Sequence, residues 1–199
     1  MPVIHAVTDD RVLSLPDFLA RAHALTLGPA YAIHLRGSLA GGPLLALAEQ
    51  LRSLTTPSGT RLMIHDRLDV ARLAGADGVH LPAAGLPPSA VRALLGPEPL
   101  LGRSTHSAAE AREAAAEGVD YVFLGNIWET ASHPGRPPLG AGAIRDALPA
   151  PVIAIGGVTP ETARLAAAAG AAGAAAIRCI WDAADPAAAA RALRVCFSR

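Results

Sequence analysis

The sequence has little cysteine, no excess charge of either sign and no long apolar run. Cys179 and Cys196 are the only cysteines among 199 residues. Two cysteines are too few for a disulfide framework, so we expect a reduced, cytoplasmic protein. The 17 basic and 17 acidic side chains cancel, and no basic run is present, which argues against nucleic-acid and membrane-surface partners. Gly, Pro or Arg interrupts each apolar stretch before the ~18 residues that a membrane span needs. The N-terminus lacks a basic region followed by an apolar core, so no signal peptide is expected.

Short apolar runs alternate with alanine- and leucine-rich helical stretches, and the cycle repeats eight times. The runs are residues 4–7, 31–35, 61–65, 78–81, 100–104, 121–125, 151–155 and 174–177. Strands that alternate with helices predict βαβ units and a parallel sheet. Eight such units predict an α/β fold, a closed (β/α)8 TIM barrel. The chain is short for a barrel, which typically has ~250 residues, so we expect one compact domain over residues 1–199.

Two regions after predicted strands stand out, because a barrel carries its chemistry in the loops after the strand C-termini. Residues 126–142 contain three prolines and three glycines without an apolar period, which is typical of a functional lid or binding loop. Gly156 and Gly157 directly follow the seventh predicted strand, and glycines there let backbone amides approach an anion. The turn after the eighth strand, Ile177 and Arg178, is the expected partner. Barrels frequently bind phosphate between these two turns, and Arg178 adds a charged donor.

Several segments together resemble the thiamine-phosphate synthase/TenI superfamily. They are residues 5–9 (HAVTD), 34–36 (HLR), 66–69 (DRLD), 75–81 (GADGVHL), 102–107 (GRSTHS), 120–125 (DYVFLG) and 155–158 (IGGV). The resemblance covers nearly the whole chain in order. It implies a small (β/α)8 barrel that handles thiazole phosphates in thiamine biosynthesis.

The resemblance implies one of two activities. The synthase joins a pyrimidine diphosphate to a thiazole phosphate with loss of pyrophosphate, helped by Mg²⁺. The TenI-type enzyme is a thiazole tautomerase, which moves a proton so that a carboxythiazole phosphate becomes aromatic.

The synthase needs a magnesium-pyrophosphate site made from carboxylates and cations. By the resemblance, its first carboxylate falls on Asp66. The second falls in residues 82–85, which read Pro-Ala-Ala-Gly and have no side-chain oxygen. The family's loop lysine falls on His133, and its pyrimidine-contacting Gln and following Lys fall on His34 and Ser38. We therefore expect no metal site, no cofactor and no synthase activity, and the sequence favours the TenI branch.

The TenI branch has a catalytic His where this chain has Asn126, and an amide has no useful proton affinity near neutrality. His34 and then His106 are the next candidates for proton transfer, because each follows a predicted strand and imidazole titrates near pH 7. Two alternatives stay open. They are thiamine-phosphate synthase, and a non-catalytic or regulatory phosphate-ligand binder that has lost the base.

Other residues are candidates for holding a small-molecule thiazole phosphate. Thr130 and Ser132 match family positions that contact the phosphate, and Trp128 is suited to stacking on a flat heterocycle. The remaining candidates for substrate contact are Arg36, Asp66, Ser104 and Asn126. A homodimer is a further possibility.

Overall fold

The computed structural model describes residues 1–28, 31–130 and 135–198. Its eight strands close into one parallel barrel in sequence order, with β8 pairing to β1. The strands are β1 Ile4–Val7, β2 Ala32–Leu35, β3 Arg61–His65, β4 Gly78–Leu81, β5 Leu100–Thr105, β6 Tyr121–Leu124, β7 Val152–Ile155 and β8 Gly173–Ala176. The predicted (β/α)8 fold is confirmed.

Helices connect the strands and surround the barrel. They are α1 Asp10–Leu13, α2 Phe18–Thr26, α3 Gly41–Thr55, α4 Leu68–Leu73, α5 Pro88–Leu95, α6 Ala108–Ala116, α7 Gly142–Ala147, α8 Pro160–Ala168, α9 Arg178–Trp181 and α10 Pro186–Val195. A short 3-10 turn, Thr56–Ser58, follows α3. Among the described residues, no helix combines the length and apolarity needed to cross a membrane.

The strands are buried almost throughout because helices cover one face and the barrel interior takes the other. The larger apolar cluster includes outward-facing strand residues such as Ile33, Leu62 and Val152, together with helix residues such as Leu51. Trp181 of α9 links the surrounding helices to β1 by a hydrogen bond, in which its indole N–H donates to the carbonyl oxygen of Val7 at 2.9 Å. Because successive side chains of a strand point to opposite faces, the residues that alternate with these outward-facing ones point into the barrel.

The barrel interior contains several aromatic and imidazole rings. Its apolar cluster consists of Val7, Ala32, Met63, Tyr121, Phe123, Ile153 and Ala175. Gly102 of β5 makes room for this arrangement, because a Cβ there would collide with the ring of Tyr121. Small side chains on β8 leave further space, and imidazoles from β1, β2 and β4 share the interior with Tyr121 and Phe123.

Candidate active site

A cavity of about 820 Å³ opens at the C-terminal end of the strands. The strand ends and the following loops line it, as expected for a barrel. The predicted site residues that line it are His34, Arg36, Ser104, His106, Asn126, Thr130, Gly156, Gly157, Ile177 and Arg178. The structure therefore brings together ten of the side chains or turns that the sequence singled out.

The two glycines after β7 have a backbone that other residues rarely adopt. Their φ angles are 92° at Gly156 and 64° at Gly157. A Cβ at Gly156 would lie 2.6 Å from the Cβ of Asn126, and one at Gly157 would lie 2.5 Å from the carbonyl oxygen of Glu129. The turn thus depends on glycine both for its conformation and for the close approach of the β6 loop.

Two arginines border the cavity with their guanidinium groups available. Arg36 follows β2 and Arg178 begins α9, and both side chains are exposed. Within the described part of the chain, neither guanidinium forms an ion pair. The backbone amides of Gly157, Ile177 and Arg178 likewise donate to no group of the described residues. This rim can therefore offer charged and neutral donors to an anion.

Histidines form the floor of the cavity: His34, His65 and His80 line it, and His5, which is buried in the barrel, contacts His34. His5 Nδ1 lies 2.8 Å from His34 Nε2, and His5 Nε2 lies 3.0 Å from the carbonyl oxygen of Pro2. His80 Nδ1 lies 3.2 Å from the hydroxyl oxygen of Tyr121, and His80 Nε2 lies 2.9 Å from the hydroxyl oxygen of Ser104. These rings are packed together, because register places alternate residues of neighbouring strands on the same interior face.

Burial keeps these imidazoles neutral. Desolvation lowers the pKa of His5 from 6.5 to about 3. Desolvation also lowers the pKa of His34 and His80 well below 6.5, and repulsion from the neighbouring histidines lowers it further. The pKa of His65 is lowered first by burial and then by the charge of Arg36. At neutral pH the floor is consequently a set of uncharged hydrogen-bonding rings.

His106 is held at the edge of the cavity by two contacts. Its Nδ1 lies 2.9 Å from the carbonyl oxygen of Gly125, and its backbone amide donates to Glu110 at 2.8 Å. Ser107 caps α6 by accepting from the amide of Glu110. The sequence Ser107 to Glu110 predicts a capping box, and here the carboxylate reaches the amide of His106.

Asn126 contributes a side-chain oxygen to which no described residue donates a hydrogen bond. Its Nδ2 donates to the carbonyl oxygens of Trp128 at 3.4 Å and Arg136 at 3.3 Å. Those carbonyls fix the orientation of the amide, because only its nitrogen can donate. Oδ1 is fully buried and has no hydrogen-bond partner among the described residues.

Two predicted contact residues lie outside the cavity lining. His65 lines the cavity, whereas Asp66 does not. Asp66 has left the strand conformation, with φ at 61°, and is exposed. Trp128 is partly buried against the hydrophobic core and is not among the residues that line the cavity, and its Cβ is close to the position that a Cβ on Gly157 would take. Ser132 and His133 lie outside the described residues.

Sequence reasoning undervalued three histidines. The sequence predicts a structural role for His80 and a structural or exposed position for His5, and strand alternation predicts that only one of His65 and Asp66 faces the cavity. The usable signal was strand alternation, since His5 shares its face with Val7 and His80 shares its face with Gly78. Both faces point into the barrel.

The residues present do not fit a magnesium site of the synthase type. No group of three or more His, Cys, Asp or Glu side chains within the described residues could hold a metal ion. Asp66 is not among the residues that line the cavity, and residues 82–85 supply no side-chain oxygen. The acids that do line the cavity include Asp9 and Asp10. Asp9 caps α1, and Asp10 accepts from the amide and hydroxyl of Ser38.

Comparison with known proteins gives a consistent result over nearly the whole chain. Residues 4–180 match the family described as thiamine monophosphate synthase. The thiamine-phosphate synthase of Anaeromyxobacter dehalogenans is 43% identical over 186 residues, covering 91% of this chain and 83% of the relative. That of Moorella thermoacetica is 41% identical over 177 residues, covering 86% and 84%. The structure of thiamine phosphate pyrophosphorylase from Pyrococcus furiosus matches with a TM-score of 0.83 at 28% identity, covering 98% of this chain and 95% of that one.

These similarities correct the preference for the TenI branch. The curated relatives at about 40% identity are named thiamine-phosphate synthase, so the prediction of a thiazole tautomerase, an isomerase, is wrong. The expectation that the chain lacks synthase activity rested on few positions and is opposed by the same relatives. The proton-transfer roles expected for His34 and His106 served the tautomerase reaction and are dropped with it.

Proposed function

The chain belongs to the thiamine monophosphate synthase family, and on that premise we propose that it is a transferase that joins a pyrimidine diphosphate to a thiazole phosphate. The observation that carries the proposal is the extent of the similarity. Relatives named thiamine-phosphate synthase share 37–43% of their residues with this chain over 82–96% of its length.

The two turns after β7 and β8 are suited to the phosphate of the thiazole substrate. Gly156 and Gly157 have positive φ angles that suit close approach of backbone amides to an anion, and Ile177 and Arg178 line the same cavity with amides that donate to no described residue. The guanidinium of Arg178 adds charge-assisted, bidentate donors. Thr130 lines the same cavity from the β6 loop. This arrangement would orient the thiazole ring toward the barrel axis.

Arg36 is the cation best placed for the diphosphate of the other substrate. It lies at the end of β2, away from the turn that contains Arg178, and its guanidinium forms no ion pair with the described residues. As the thiazole nitrogen donates its electron pair to the exocyclic carbon of the pyrimidine, the bond from that carbon to the diphosphate oxygen breaks, and the diphosphate leaves with the electron pair of that bond. A guanidinium beside the leaving group stabilises that growing negative charge. Because the carboxylates do not fit a magnesium site, no step is assigned to the metal.

The proposal is tested by incubating purified protein with the pyrimidine diphosphate and the thiazole phosphate, with Mg²⁺ and separately with a chelator. Equimolar thiamine phosphate and inorganic diphosphate, measured by mass spectrometry and a coupled diphosphate assay, are the expected products. No product under either condition would overturn the proposal. Tight binding of the thiazole phosphate without turnover would instead favour the phosphate-ligand binder.

A further inference from the structure

The segment that follows β2, residues 36–38, is held by the segment that follows β1. The hydroxyl oxygen of Thr8 accepts from the backbone amide of Arg36 at 2.8 Å. The hydroxyl proton is shared between the carbonyl oxygens of Arg36 at 2.7 Å and His34 at 3.1 Å. Among the described residues, no backbone group pairs with the amide or the carbonyl of Arg36. One side-chain hydroxyl therefore satisfies both backbone groups of Arg36.

Asp10 holds the other end of the same segment. Its Oδ1 accepts from the backbone amide of Ser38 at 2.6 Å and from the Ser38 hydroxyl group at 2.8 Å. Between these contacts Gly37 lies close to α1, since a Cβ at Gly37 would stand 2.6 Å from Leu13 Cδ1 and 2.9 Å from Asp10 Oδ1. Residues 36–38 are therefore fixed by hydrogen bonds at both ends and by close packing in the middle.

Arg36 faces the cavity, whereas Thr8 does not. Arg36 continues the alternation of β2, in which Ala32 belongs to the apolar cluster inside the barrel, and Arg36 lines the cavity. Burial lowers the pKa of His65, and the charge of Arg36 lowers it further, so the guanidinium acts on a second residue of the lining. Thr8 is fully buried and is not among the lining residues. It can therefore influence a ligand only through another residue.

We propose that Thr8 and Asp10 are positioning residues, which hold residues 36–38 by the backbone so that the guanidinium of Arg36 is presented to the diphosphate in one orientation. The inference rests on the proposed function, because it takes Arg36 as the cation beside the leaving diphosphate. A mobile segment would have to be ordered when the anion binds, and that ordering opposes binding. A segment that is already held avoids this loss, so Thr8 contributes to diphosphate binding without touching the ligand.

A double-mutant cycle on the binding of inorganic diphosphate tests the role of Thr8. Isothermal titration calorimetry in metal-free buffer gives the Kd of the native protein, of Thr8→Val, of Arg36→Ala and of the double variant. Thr8→Val keeps the size of the side chain but loses the hydroxyl group, and it should raise the Kd about tenfold, the scale of a lost hydrogen bond. In the Arg36→Ala background the same change should alter the Kd by less than about twofold.

Two further variants separate positioning from general damage to the fold. Thr8→Ser keeps the hydroxyl group and should restore the native Kd. Thr55→Val is the matched control, because Thr55 is also fully buried and its hydroxyl donates to a backbone carbonyl, but it is not among the lining residues. Its Kd should equal the native value. If Thr8→Val raises the Kd equally with and without Arg36, or if Arg36→Ala binds diphosphate as tightly as the native protein, the inference is wrong.

The role of Asp10 is tested by two substitutions that change the charge equally. Asp10→Asn and Asp10→Ala both remove a negative charge from the cavity lining, but only Asp10→Asn keeps an oxygen that can accept from Ser38. We expect Asp10→Ala to bind diphosphate several-fold more weakly than Asp10→Asn. Equal affinity of the two variants would show that Asp10 acts only through its charge and would overturn its positioning role. If Thr8→Val does not fold, this pair still tests whether the held segment matters for binding.

Binding and turnover are measured separately, so the inference and the proposed function fail in different ways. Coupling between Thr8 and Arg36 in a protein that forms no thiamine phosphate would leave the positioning role standing for diphosphate and overturn only the proposed function. Formation of thiamine phosphate without such coupling would keep the proposed function and refute the positioning role.

Discussion

Acidification from pH 7 to pH 5 is expected to destabilise the folded protein, because the barrel holds several imidazoles in their neutral form. In the unfolded chain a histidine takes up a proton as the pH falls through about 6.5. In the folded protein His5 does not do so until about pH 3. The unfolded state therefore binds more protons across this window, and the free energy of unfolding falls as the pH decreases.

The size of the effect follows from the same two pKa values. For His5 alone, the loss between pH 7 and pH 5 is about 2 kcal/mol. His34 and His80 act in the same direction, since burial lowers the pKa of each well below 6.5. A typical domain has only about 5–15 kcal/mol of stability in total, so the change is large enough to measure.

Chemical denaturation at pH 7, 6 and 5, followed by circular dichroism, is the appropriate assay. His5→Asn should reduce the loss between pH 7 and pH 5 by about 2 kcal/mol. Leu51→Ala is the matched control, because Leu51 is fully buried outside the barrel interior and its loss should lower stability equally at each pH. An unfolding free energy that is the same at pH 7 and pH 5 in the native protein would refute the reasoning.

Three further predictions concern the cavity rim and the barrel base. Arg178→Ala should weaken binding of the thiazole phosphate by about 1–3 kcal/mol, the scale of a charged hydrogen bond; isothermal titration calorimetry would measure this, and the exposed Arg164→Ala is the control because Arg164 does not line the cavity. If the affinity of Arg178→Ala matches that of Arg164→Ala, Arg178 does not contact the phosphate. Gly157→Ala should cost about 1–3 kcal/mol of backbone strain, measured by thermal unfolding, and should weaken binding of the thiazole phosphate, measured by titration. Gly59→Ala is the control, because it also introduces a Cβ at positive φ but meets no neighbour, so it should leave the ligand affinity intact. Equal ligand affinities in the two variants would contradict the role of the turn. Asp77→Ala should destabilise the protein by about 2–4 kcal/mol, because this largely buried carboxylate accepts from Arg52, Arg61 and the amide of Leu62; a change below about 0.5 kcal/mol in urea denaturation would show that these contacts contribute little.

The fold could be predicted because the alternation of apolar strands and helical segments can be recognised in short stretches of the sequence. Each strand is a short apolar run bounded by helix-forming residues, and a closed parallel barrel with an outer ring of helices is an architecture that buries eight such runs at both faces. The predicted ends were close to the observed ones, with β5 continuing to Thr105 and β8 beginning at Gly173. The short helix α1 could not be predicted, because four residues give too little periodicity to be distinguished from a turn.

The site could be predicted only as far as strand ends determine it. Residues that directly follow strands, such as Arg36 and Gly156, reach the cavity by topology alone. Asp66 does not, because its positive φ ends the alternation that would have placed its side chain. The bond between His5 and His34 joins residues 29 positions apart, and its geometry depends on how β1 and β2 pair, which no local pattern specifies.

The choice between the two activities failed for a different reason. It was based on single positions that depart from the synthase pattern, chiefly residues 82–85, together with His34, Ser38 and His133. Similarity to the synthases is instead distributed along residues 4–180. A few substitutions around a cavity alter local contacts but do not change the family to which the chain belongs. The differences at single positions therefore carried less information about the family branch than the similarity over the whole matched range.

The glycine turn after β7 has a mechanical consequence for the loop after β6. Gly156 lies against Asn126, Gly157 lies against Trp128 and Glu129, and the amide of Trp128 donates to the carbonyl of Gly156 at 3.2 Å. The two segments are therefore packed together and joined by a backbone hydrogen bond, so we expect a displacement of one to move the other. Insertions or substitutions that reshape the β6 loop would be transmitted to the glycine turn after β7, which makes this pair of loops a poor place for independent engineering and a good place to graft as a single unit.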